Sequence, residues 1–305
     1  MGYKLAGYDH LGGVEIDPKV ADVYRENHNP KHLYVEDIRL FNQRQDLPPE
    51  LYDLDLLDGS PPCSTFSMAG SREGAWGKKK VFREGQAKQT LDDLVFVYVD
   101  TIAKLKPKVC LLENVKGIIQ GNAKYYSKQI VARMQAAGYR VQVFLLNAAS
   151  MGVPQKRERV FFIGLRNDFK VPELVMKFDE KPVNFKSVSD NANKQTDEIL
   201  LPSPLYVEYW NNARYGETVG KFNASCRRLN PNDVCYTIGA QGGNNHFHHD
   251  FCRPISRQEV CMVGTYPTDY IFKDFEWHYL IGMSVPPVMT AQIGHQIWLQ
   301  WLSKI

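Results

Sequence analysis

The chain has 305 residues, a formal net charge of +3, and 44% hydrophobic and 23% charged residues. This length accommodates one large α/β domain and a smaller one, and the composition is typical of a globular protein. Because the sequence has no apolar run of about 18 residues, no membrane-spanning helix is expected. The first residues have no apolar core flanked by basic residues, so no secretory signal is expected. The charge neither requires nor excludes a nucleic-acid partner.

Strands and helices alternate over the first half of the sequence. Strands are predicted at 12–17, 32–38, 54–57, 109–112, 139–146 and 159–165, and helices at 19–27, 90–105, 125–137, 256–263 and 287–302. This alternation predicts an α/β fold with a mostly parallel sheet and helices on both faces. In such sheets the chemistry lies at the carboxyl ends of the strands. Glu15, Asp37, Cys63 and Glu113 all fall at such ends.

The periodicity weakens after residue 165. Residues 168–245 are rich in polar residues, prolines and aromatics, which predicts a second, irregular domain. The Gly-rich stretch 239–245 is typical of a flexible segment. Six cysteines without a secretory signal are expected to be reduced. Some of them flank a histidine cluster, but their nine-residue gaps do not match zinc-ligand spacing, so no metal is expected.

Cys63 follows a short apolar strand that stops at Gly59-Ser60. Pro61 and Pro62 fix their own φ angles and disfavour helix before them, so they hold the cysteine on a stiff, extended segment. A positioned nucleophile would have this setting, whereas a small buried core cysteine is the alternative. The basic run at 71–90 that comes next is either a solvated face or a loop that contacts phosphates.

Cys63 and Glu113 together suggest a specific reaction. A thiolate can add to an electron-poor ring carbon, and a nearby carboxylic acid can protonate or hydrogen-bond a ring nitrogen. A free thiol has a pKa of about 8.5, so the site needs positive charge to favour the thiolate. The segment Gln155-Lys-Arg-Glu-Arg159 lies just before a strand and is a source of that charge.

The ordered motifs resemble those of DNA (cytosine-5)-methyltransferases. They are Ser60-Pro-Pro-Cys-Ser-Thr-Phe-Ser67, Glu113-Asn-Val115, Asn147-Ala-Ala, Gly152-Val-Pro-Gln-Lys-Arg-Glu-Arg159, Arg253-Pro-Ile-Ser-Arg-Gln-Glu259, Tyr266-Pro-Thr-Asp-Tyr270 and Gly282-Met-Ser-Val-Pro-Pro287. The resemblance covers nearly the whole chain except residues 168–225. It implies an S-adenosylmethionine-dependent methyltransferase fold of the Rossmann-like type.

The resemblance also implies roles for individual residues. Cys63 attacks C6 of a target cytosine, Glu113 engages the N3 edge, and Arg159 and Arg157 support the flipped base and the nearby phosphate. The structural alternatives are an ion pair for the arginines and a cap or buried hydrogen bond for Glu113. The implied cofactor-binding residues are Glu15, Ile16, Asp37, Ile38, Pro61, Ser284 and Val285. The implied DNA contacts are Ser67, Arg72, Lys78, Lys79, Gln155, Arg228 and Arg253, and the loop 64–85 is expected to close over the DNA.

The sequence departs from the family pattern in two places. The family opens with a strand and a Gly-rich turn that cradles the methionine end of the cofactor, whereas Met1-Gly-Tyr-Lys-Leu5 resembles the end of the first helix. Met283 stands where the family usually has asparagine. The absence of a central strand would leave two neighbouring strands with unpaired backbone groups. A truncated reading frame, a partner chain that supplies the strand and a degenerate remnant all explain this departure.

These observations predict a catalytic domain at 1–167, a target-recognition domain at 168–252 and a return segment at 253–305. The expected activity is methylation of C5 of cytosine in a specific double-stranded DNA sequence. The expected setting is the cytoplasm of a bacterial or phage-infected cell, at the nucleoid and away from membranes, in a restriction-modification system. The alternatives are an inactive DNA-binding subunit and an RNA cytosine methyltransferase.

Overall fold

The computed structural model describes residues 1–61, 94–192, 203–220, 226–240 and 246–305. The strands in these ranges are β1 Gly12–Val14, β2 His32–Tyr34, β3 Leu56–Gly59, β4 Val109–Val115, β5 Tyr139–Asn147, β6 Glu158–Arg166, β7 Arg227–Arg228 and β8 His246–Phe247. The α-helices are α1 Gly2–Leu5, α2 Pro18–His28, α3 Ile38–Gln43, α4 Leu94–Leu105, α5 Lys124–Ala136, α6 Phe185–Asn191, α7 Pro204–Asn212, α8 Arg257–Val263, α9 Trp277–Met283 and α10 Pro287–Gln300. None of these helices is long and apolar enough to cross a bilayer.

The main sheet has the strand order β3-β4-β6-β5. Strands β3 and β4 are parallel, whereas β6 runs antiparallel to both β4 and β5. Strands β1 and β2 form a separate parallel pair. The predicted α/β fold is therefore confirmed, with an antiparallel end to the sheet formed by β6 and β5. Within the described ranges, β1 and β3 each pair on one edge only.

The central strands bury both faces, as their nearly continuous apolar sequences require. Alternate residues of β4 and β6 contact α10 on one face; these are Val109, Leu111, Phe161, Ile163 and Leu165. The intervening residues contact α4 and α5 on the other face; these are Cys110, Leu112, Val160 and Phe162. This packing fixes the register of β4 against β6 and holds the carboxyl end of β4 in a defined position.

Local capping explains where several helices begin. Asp17 accepts a hydrogen bond from the backbone N–H of Lys19 and starts α2, with Pro18 as its first residue. Asp37 caps α3 in the same way. Ser256 and Glu259 form a reciprocal capping box at α8. The predicted helix at 90–105 is observed as α4 from Leu94, and residues 90–93 lie outside the described ranges.

The irregular second half packs around its own core. Phe185, Leu229 and Ile238 form one cluster with residues of α8 and α9. The return segment therefore divides: α8 and α9 pack with the region predicted to recognise the target, and α10 packs on the main sheet. The domain bounds at 167 and 252 stay predictions, and the hydrophobic contacts between these regions are continuous across residue 252.

Candidate functional site

The antiparallel register of β4 and β6 brings Glu113 and Arg159 together. Glu113 lies opposite Phe161, and Arg159 lies opposite Val115. Val115 is two residues after Glu113 on β4, so Glu113 and Arg159 lie on the same face of the sheet. Arg159 Nε is 3.0 Å from Glu113 Oε1, and both side chains are largely buried. Two side chains that the sequence analysis singled out independently are therefore a direct ion pair at the carboxyl end of β4.

The segment that leads to Cys63 reaches Glu113 from the other side. The Ser60 hydroxyl donates a hydrogen bond to the Glu113 carboxylate. Asn114 Nδ2 lies 3.5 Å from the Pro61 carbonyl oxygen, which it contacts as a donor. Strand β3 pairs with β4 directly before these contacts, with Gly59 opposite Leu112. The first described range thus ends at Pro61, beside Glu113. Cys63 lies outside the described residues.

Burial controls the electrostatics of Glu113. Desolvation raises the pKa of its carboxyl above the ordinary value, while the cations of Arg159 and Arg157 and the hydrogen bonds from Ser60 and Arg159 act in the opposite direction. The net result is a raised pKa, so the neutral acid forms more readily here than on the protein surface. A carboxyl in this state can donate a proton to a ring nitrogen or hydrogen-bond it.

Arg157 and Gln155 form hydrogen bonds with backbone groups of the protein. Arg157 is 1% exposed and donates to the carbonyl oxygens of Ile238 and Gly282. Gln155 is also buried, contacts the Val263 carbonyl and accepts from the Ile238 backbone N–H. Burial and the neighbouring Arg159 lower the pKa of Arg157 to about 9. In this structure both side chains join segments of the chain.

The predicted cofactor residues cluster at the carboxyl ends of β1 and β2. The Glu15 backbone N–H donates to the Tyr34 carbonyl, which ties the ends of the two strands together. Glu15 Oε1 accepts from the Asp17 backbone N–H, and burial raises the pKa of this carboxyl. Asp37 starts α3 directly beyond β2. A fixed carboxylate at this edge has the chemistry to bind the two hydroxyls of a ribose.

The other predicted cofactor residues lie on different elements. Ile16 follows Glu15, and Ile38 packs partly buried beside the core below β4. The Ser284 hydroxyl donates to the Leu280 carbonyl and accepts from the Tyr266 hydroxyl at 2.7 Å. Val285 packs against the cluster under α10. Pro61 borders Glu113. Glu15 and Asp37 supply the carboxylates of this set of residues.

Two arginines predicted to contact DNA are engaged within the protein. Arg228 stacks on the Trp210 ring at 3.9 Å and donates to the His249 carbonyl. Arg253 forms two hydrogen bonds with the buried carboxylate of Glu259, at 2.7 and 3.0 Å. Ser67, Arg72, Lys78 and Lys79, and the loop 64–85 that contains them, lie outside the described residues.

Two side chains that contribute to the site, Ser60 and Tyr266, were assigned no role from the sequence. Ser60 was quoted at the end of a strand and as the first residue of a motif but was given no role, although its place three residues before Cys63 was a usable signal. Tyr266, a member of a quoted motif, is joined to Ser284 across 18 residues of sequence. The described cysteines are free, and no group of three or more metal-ligating side chains occurs among the residues that the structure describes.

A family model for C-5 cytosine-specific DNA methylases matches residues 1–298. The chain belongs to this family. The methylase therefore transfers a methyl group from S-adenosylmethionine to C5 of cytosine in DNA. Its membership agrees with the site, where a buried acid and an arginine lie beside the segment leading to a cysteine.

Curated relatives are similar over nearly the whole methylase. It is 28% identical over 322 residues to the Type II methyltransferase M.Bsp6I of a Bacillus species, which covers 99% of this chain and 95% of that protein. It is 25% identical over 365 residues to the Type II methyltransferase M.DdeI of Desulfomicrobium norvegicum, which covers 97% and 85%.

Solved structures share the fold. A DNA modification methyltransferase encoded within an E. coli prophage matches with a TM-score of 0.75 at 22% identity, covering 98% of this chain and 94% of that one. A mutant of Spodoptera frugiperda DNMT2 matches with a TM-score of 0.67 at 16% identity, covering 97% and 95%. At these identities the likeness supports the architecture alone.

Proposed function

We propose that this methylase acts through a covalent intermediate in which the Cys63 sulfur is bonded to C6 of a cytosine flipped out of duplex DNA. Glu113 serves as the acid at N3, and Arg159 holds Glu113 in place. The observation that carries the proposal is the pairing of Glu113 with Arg159 on one side and with Ser60 on the other. Cys63 follows Pro61 by two residues in the sequence, so it belongs to the segment whose described end contacts Glu113 and Asn114.

The proposed reaction has four steps. The Cys63 thiolate adds to C6, and the electron pair of the C5–C6 double bond moves toward C4 and N3, where Glu113 supplies a proton or hydrogen bond. C5 then takes up a methyl group; S-adenosylmethionine, when bound, supplies it as an electrophile on a sulfonium and departs as S-adenosylhomocysteine. A base removes the C5 proton. The electron pair of the C5–H bond re-forms the C5–C6 double bond as the S–C6 bond breaks, and N3 returns its proton to Glu113, which restores the aromatic ring, the thiolate and the acid.

The raised pKa of Glu113 suits this role. An ordinary glutamic acid, with a pKa of about 4.3, is almost fully ionised at neutral pH. Burial favours the neutral form of Glu113, and Arg159 stabilises the carboxylate that remains after proton transfer. The ion pair thus lets one side chain donate the proton and then hold a negative charge without leaving the buried edge of the sheet.

For the methyl donor, we assign Glu15 to the ribose hydroxyls and the segment Asp37-Ile38 to the border of the adenine. Ile16, Pro61, Ser284 and Val285 complete the proposed binding surface. Their support is the meeting of β1 and β2 at one edge, where Glu15 is fixed by the Asp17 backbone N–H. The proposed mechanism needs no metal ion.

DNA recognition is assigned to two regions. Residues 168–252 form the proposed target-recognition domain, and Ser67, Arg72, Lys78, Lys79 and the segment around Gln155 contact the DNA beside the flipped base. Arg228 and Arg253 keep a proposed place at this interface, although their guanidinium groups also bind within the protein. Relatives named Type II methyltransferases support a restriction-modification role. We place the methylase in the cytoplasm, at the nucleoid, because its proposed substrate is there.

We further propose that an added strand lies between β1 and β3 and completes the sheet. Polypeptide outside residues 1–305 supplies this strand, and a partner chain is one source of it. Each of these strands leaves one edge without a strand partner in the described ranges, and Val14 and Leu57 pack against the same apolar cluster. Calorimetry would compare binding of S-adenosylhomocysteine by the 305-residue chain with and without an N-terminal apolar strand and Gly-rich turn. We expect at least tenfold tighter binding with the strand; equal affinities would contradict this assignment.

Methyl transfer tests the proposed activity directly. The strand-completed chain would be incubated with labelled S-adenosylmethionine and either unmethylated plasmid DNA or transfer RNA. We expect label in the plasmid, at C5 of cytosines within one short sequence, and less than a hundredth as much in transfer RNA. Preferential labelling of transfer RNA would favour the RNA alternative. Cofactor and DNA binding without transfer to either substrate would favour an inactive DNA-binding protein.

A further inference from the structure

The Arg157 guanidinium lies at a joint between two distant parts of the chain. Its Nη1 is 3.0 Å from the carbonyl oxygen of Ile238, in the region assigned to target recognition. Its Nη2 is 2.7 Å from the carbonyl oxygen of Gly282, near the end of α9. These two acceptors are 81 and 125 residues away in sequence, and one planar side chain reaches both.

The two backbones that Arg157 bridges touch each other. A Cβ added at Gly282 would lie 2.4 Å from the Gly239 carbonyl oxygen and 2.6 Å from the Ala240 nitrogen. Such distances are far below any real carbon contact, so only glycine allows this approach. The end of α9 and the segment at 238–240 are therefore in direct backbone contact, with Arg157 bonded to both sides.

The charge of Arg157 also suits the joint. The Gly282 carbonyl is one of the last four of α9, which have no partner within the helix and form its negative end. A buried cation is costly unless it is well hydrogen-bonded. Nη1 and Nη2 of Arg157 donate to carbonyl and amide oxygens, including Gln155 Oε1 at 3.4 Å, whereas the buried Nε has no hydrogen-bond partner among the described residues. Moving either backbone away would leave this cation poorly bonded, which favours the closed joint.

The two segments that Arg157 joins belong to the proposed cofactor surface and to the proposed target-recognition region. Ser284 and Val285, assigned to the cofactor surface, follow Gly282 directly. Ile238 and Gly239 belong to the region assigned to target recognition. Arg157 itself is two residues from Arg159, the partner of Glu113. We propose that Arg157 is a positioning residue that locks this joint and so couples cofactor binding to DNA binding.

Hydrogen exchange tests the joint without cofactor or DNA. Peptides covering 236–240 and 280–284 contain the hydrogen-bonded amides of Ile238 and Ser284. In Arg157→Lys, a single ammonium replaces the two-pronged guanidinium. We expect both peptides to exchange at least tenfold faster than in the wild type. If only one peptide, or neither, loses protection in the folded variant, the two segments are not held as a unit and the proposal is wrong.

Two further variants make the test specific. Gly282→Ala forces the joint apart while leaving Arg157 intact, so it should deprotect both peptides as Arg157→Lys does. Arg140 also donates to two carbonyls, those of Val171 and Pro172, far along the sequence from the joint. Arg140→Lys is the matched control and should leave both peptides protected. Deprotection by Arg140→Lys would show a general loss of stability and would overturn the assignment.

The coupling is measured by binding of fluorescent 30-base-pair duplexes of random sequence, with and without saturating S-adenosylhomocysteine, on the strand-completed chain. We expect the nucleoside to tighten DNA binding at least fivefold in the wild type and in Arg140→Lys. In Arg157→Lys and Gly282→Ala the ratio should fall below twofold. A wild-type ratio below twofold, or unchanged coupling in both joint variants, would overturn the proposal. Because no methyl transfer is measured, failure of the Cys63 chemistry would not affect this result.

Discussion

Arg159 Nε lies 3.0 Å from Glu113 Oε1, and the antiparallel pairing of their two strands fixes this distance. Val115 faces Arg159 and Phe161 faces Glu113, so the two charged side chains share one face. A one-residue slip between the strands would turn them to opposite faces and destroy the pair. The acid at the centre of the proposed chemistry is therefore held by the core of the sheet and not by a loop.

Glu113→Gln removes the acid but keeps an amide of similar shape. If Glu113 protonates N3, methyl transfer at neutral pH should fall by about 10² to 10⁴, the usual contribution of general acid catalysis. Glu158→Gln is the matched control, since Glu158 directly precedes Arg159 on β6 and forms an ion pair with Lys116 at the surface. Single-turnover methylation of plasmid DNA measures both variants. A loss below threefold in Glu113→Gln would contradict the assigned role.

The pH dependence follows from the raised pKa of Glu113. The acid form is needed for proton donation, so the rate should fall as pH rises through this pKa. Arg159 lowers the pKa of Glu113, and its removal should raise that pKa further. Arg159→Gln should consequently reduce the rate of methyl transfer, and the decrease of that rate with rising pH should occur at a higher pH than in the wild type. Rate–pH profiles check this; a shift to lower pH would be inconsistent with a carboxyl paired to Arg159.

Glu15→Gln tests the cofactor surface. Replacing a carboxylate that binds two hydroxyls with an amide removes charge-assisted hydrogen bonds. We expect S-adenosylhomocysteine to bind about tenfold more weakly by calorimetry, with little change in melting temperature. Asp22→Asn, on the exposed side of α2 in a surface pair with Arg25, should leave the affinity unchanged. Equal affinities of Glu15→Gln and the wild type would remove Glu15 from the binding surface.

The Arg253–Glu259 pair is expected to matter mainly for stability. Burial opposes ionisation of Glu259, but hydrogen bonds from Arg253 and from the Ser256 backbone N–H outweigh it and lower the pKa. A lowered carboxyl pKa stabilises the fold above the unfolded-state pKa, and this contribution is lost as pH falls through the folded-state pKa. Glu259→Gln should lower the free energy of unfolding by about 3–5 kcal/mol at pH 7.

Urea unfolding measures this loss. Its size should stay constant from pH 7 down to the ordinary carboxyl pKa of about 4.3 and shrink below that pH, because the wild type loses the interaction as the pH falls through the lowered pKa of Glu259. The exposed Glu173 provides the control, and Glu173→Gln should change stability by less than about 0.5 kcal/mol. A loss in Glu259→Gln that grows at low pH would contradict the linkage argument.

Much of the fold followed from the sequence because its signals are local. The apolar runs of β4 and β6 and the helix at 19–27 were each predicted from short stretches of sequence, and the structure confirms them. The backbone contacts of Arg157 could not be predicted, because its acceptors are distant in sequence and are carbonyl groups, which every residue carries. The same reason explains why the motif alone could not separate Arg157 from Arg159.

The Cys63–C6 bond is tested most directly by trapping. The strand-completed chain and S-adenosylmethionine would be incubated with duplex DNA in which 5-fluorocytosine replaces cytosine, since the C5 fluorine cannot leave as the C5 proton does. We predict a DNA adduct that survives denaturing electrophoresis and maps by mass spectrometry to Cys63, absent in Cys63→Ser and retained in Cys252→Ser. An adduct that persists in Cys63→Ser, or methylation of ordinary DNA by that variant at the wild-type rate, would contradict the mechanism.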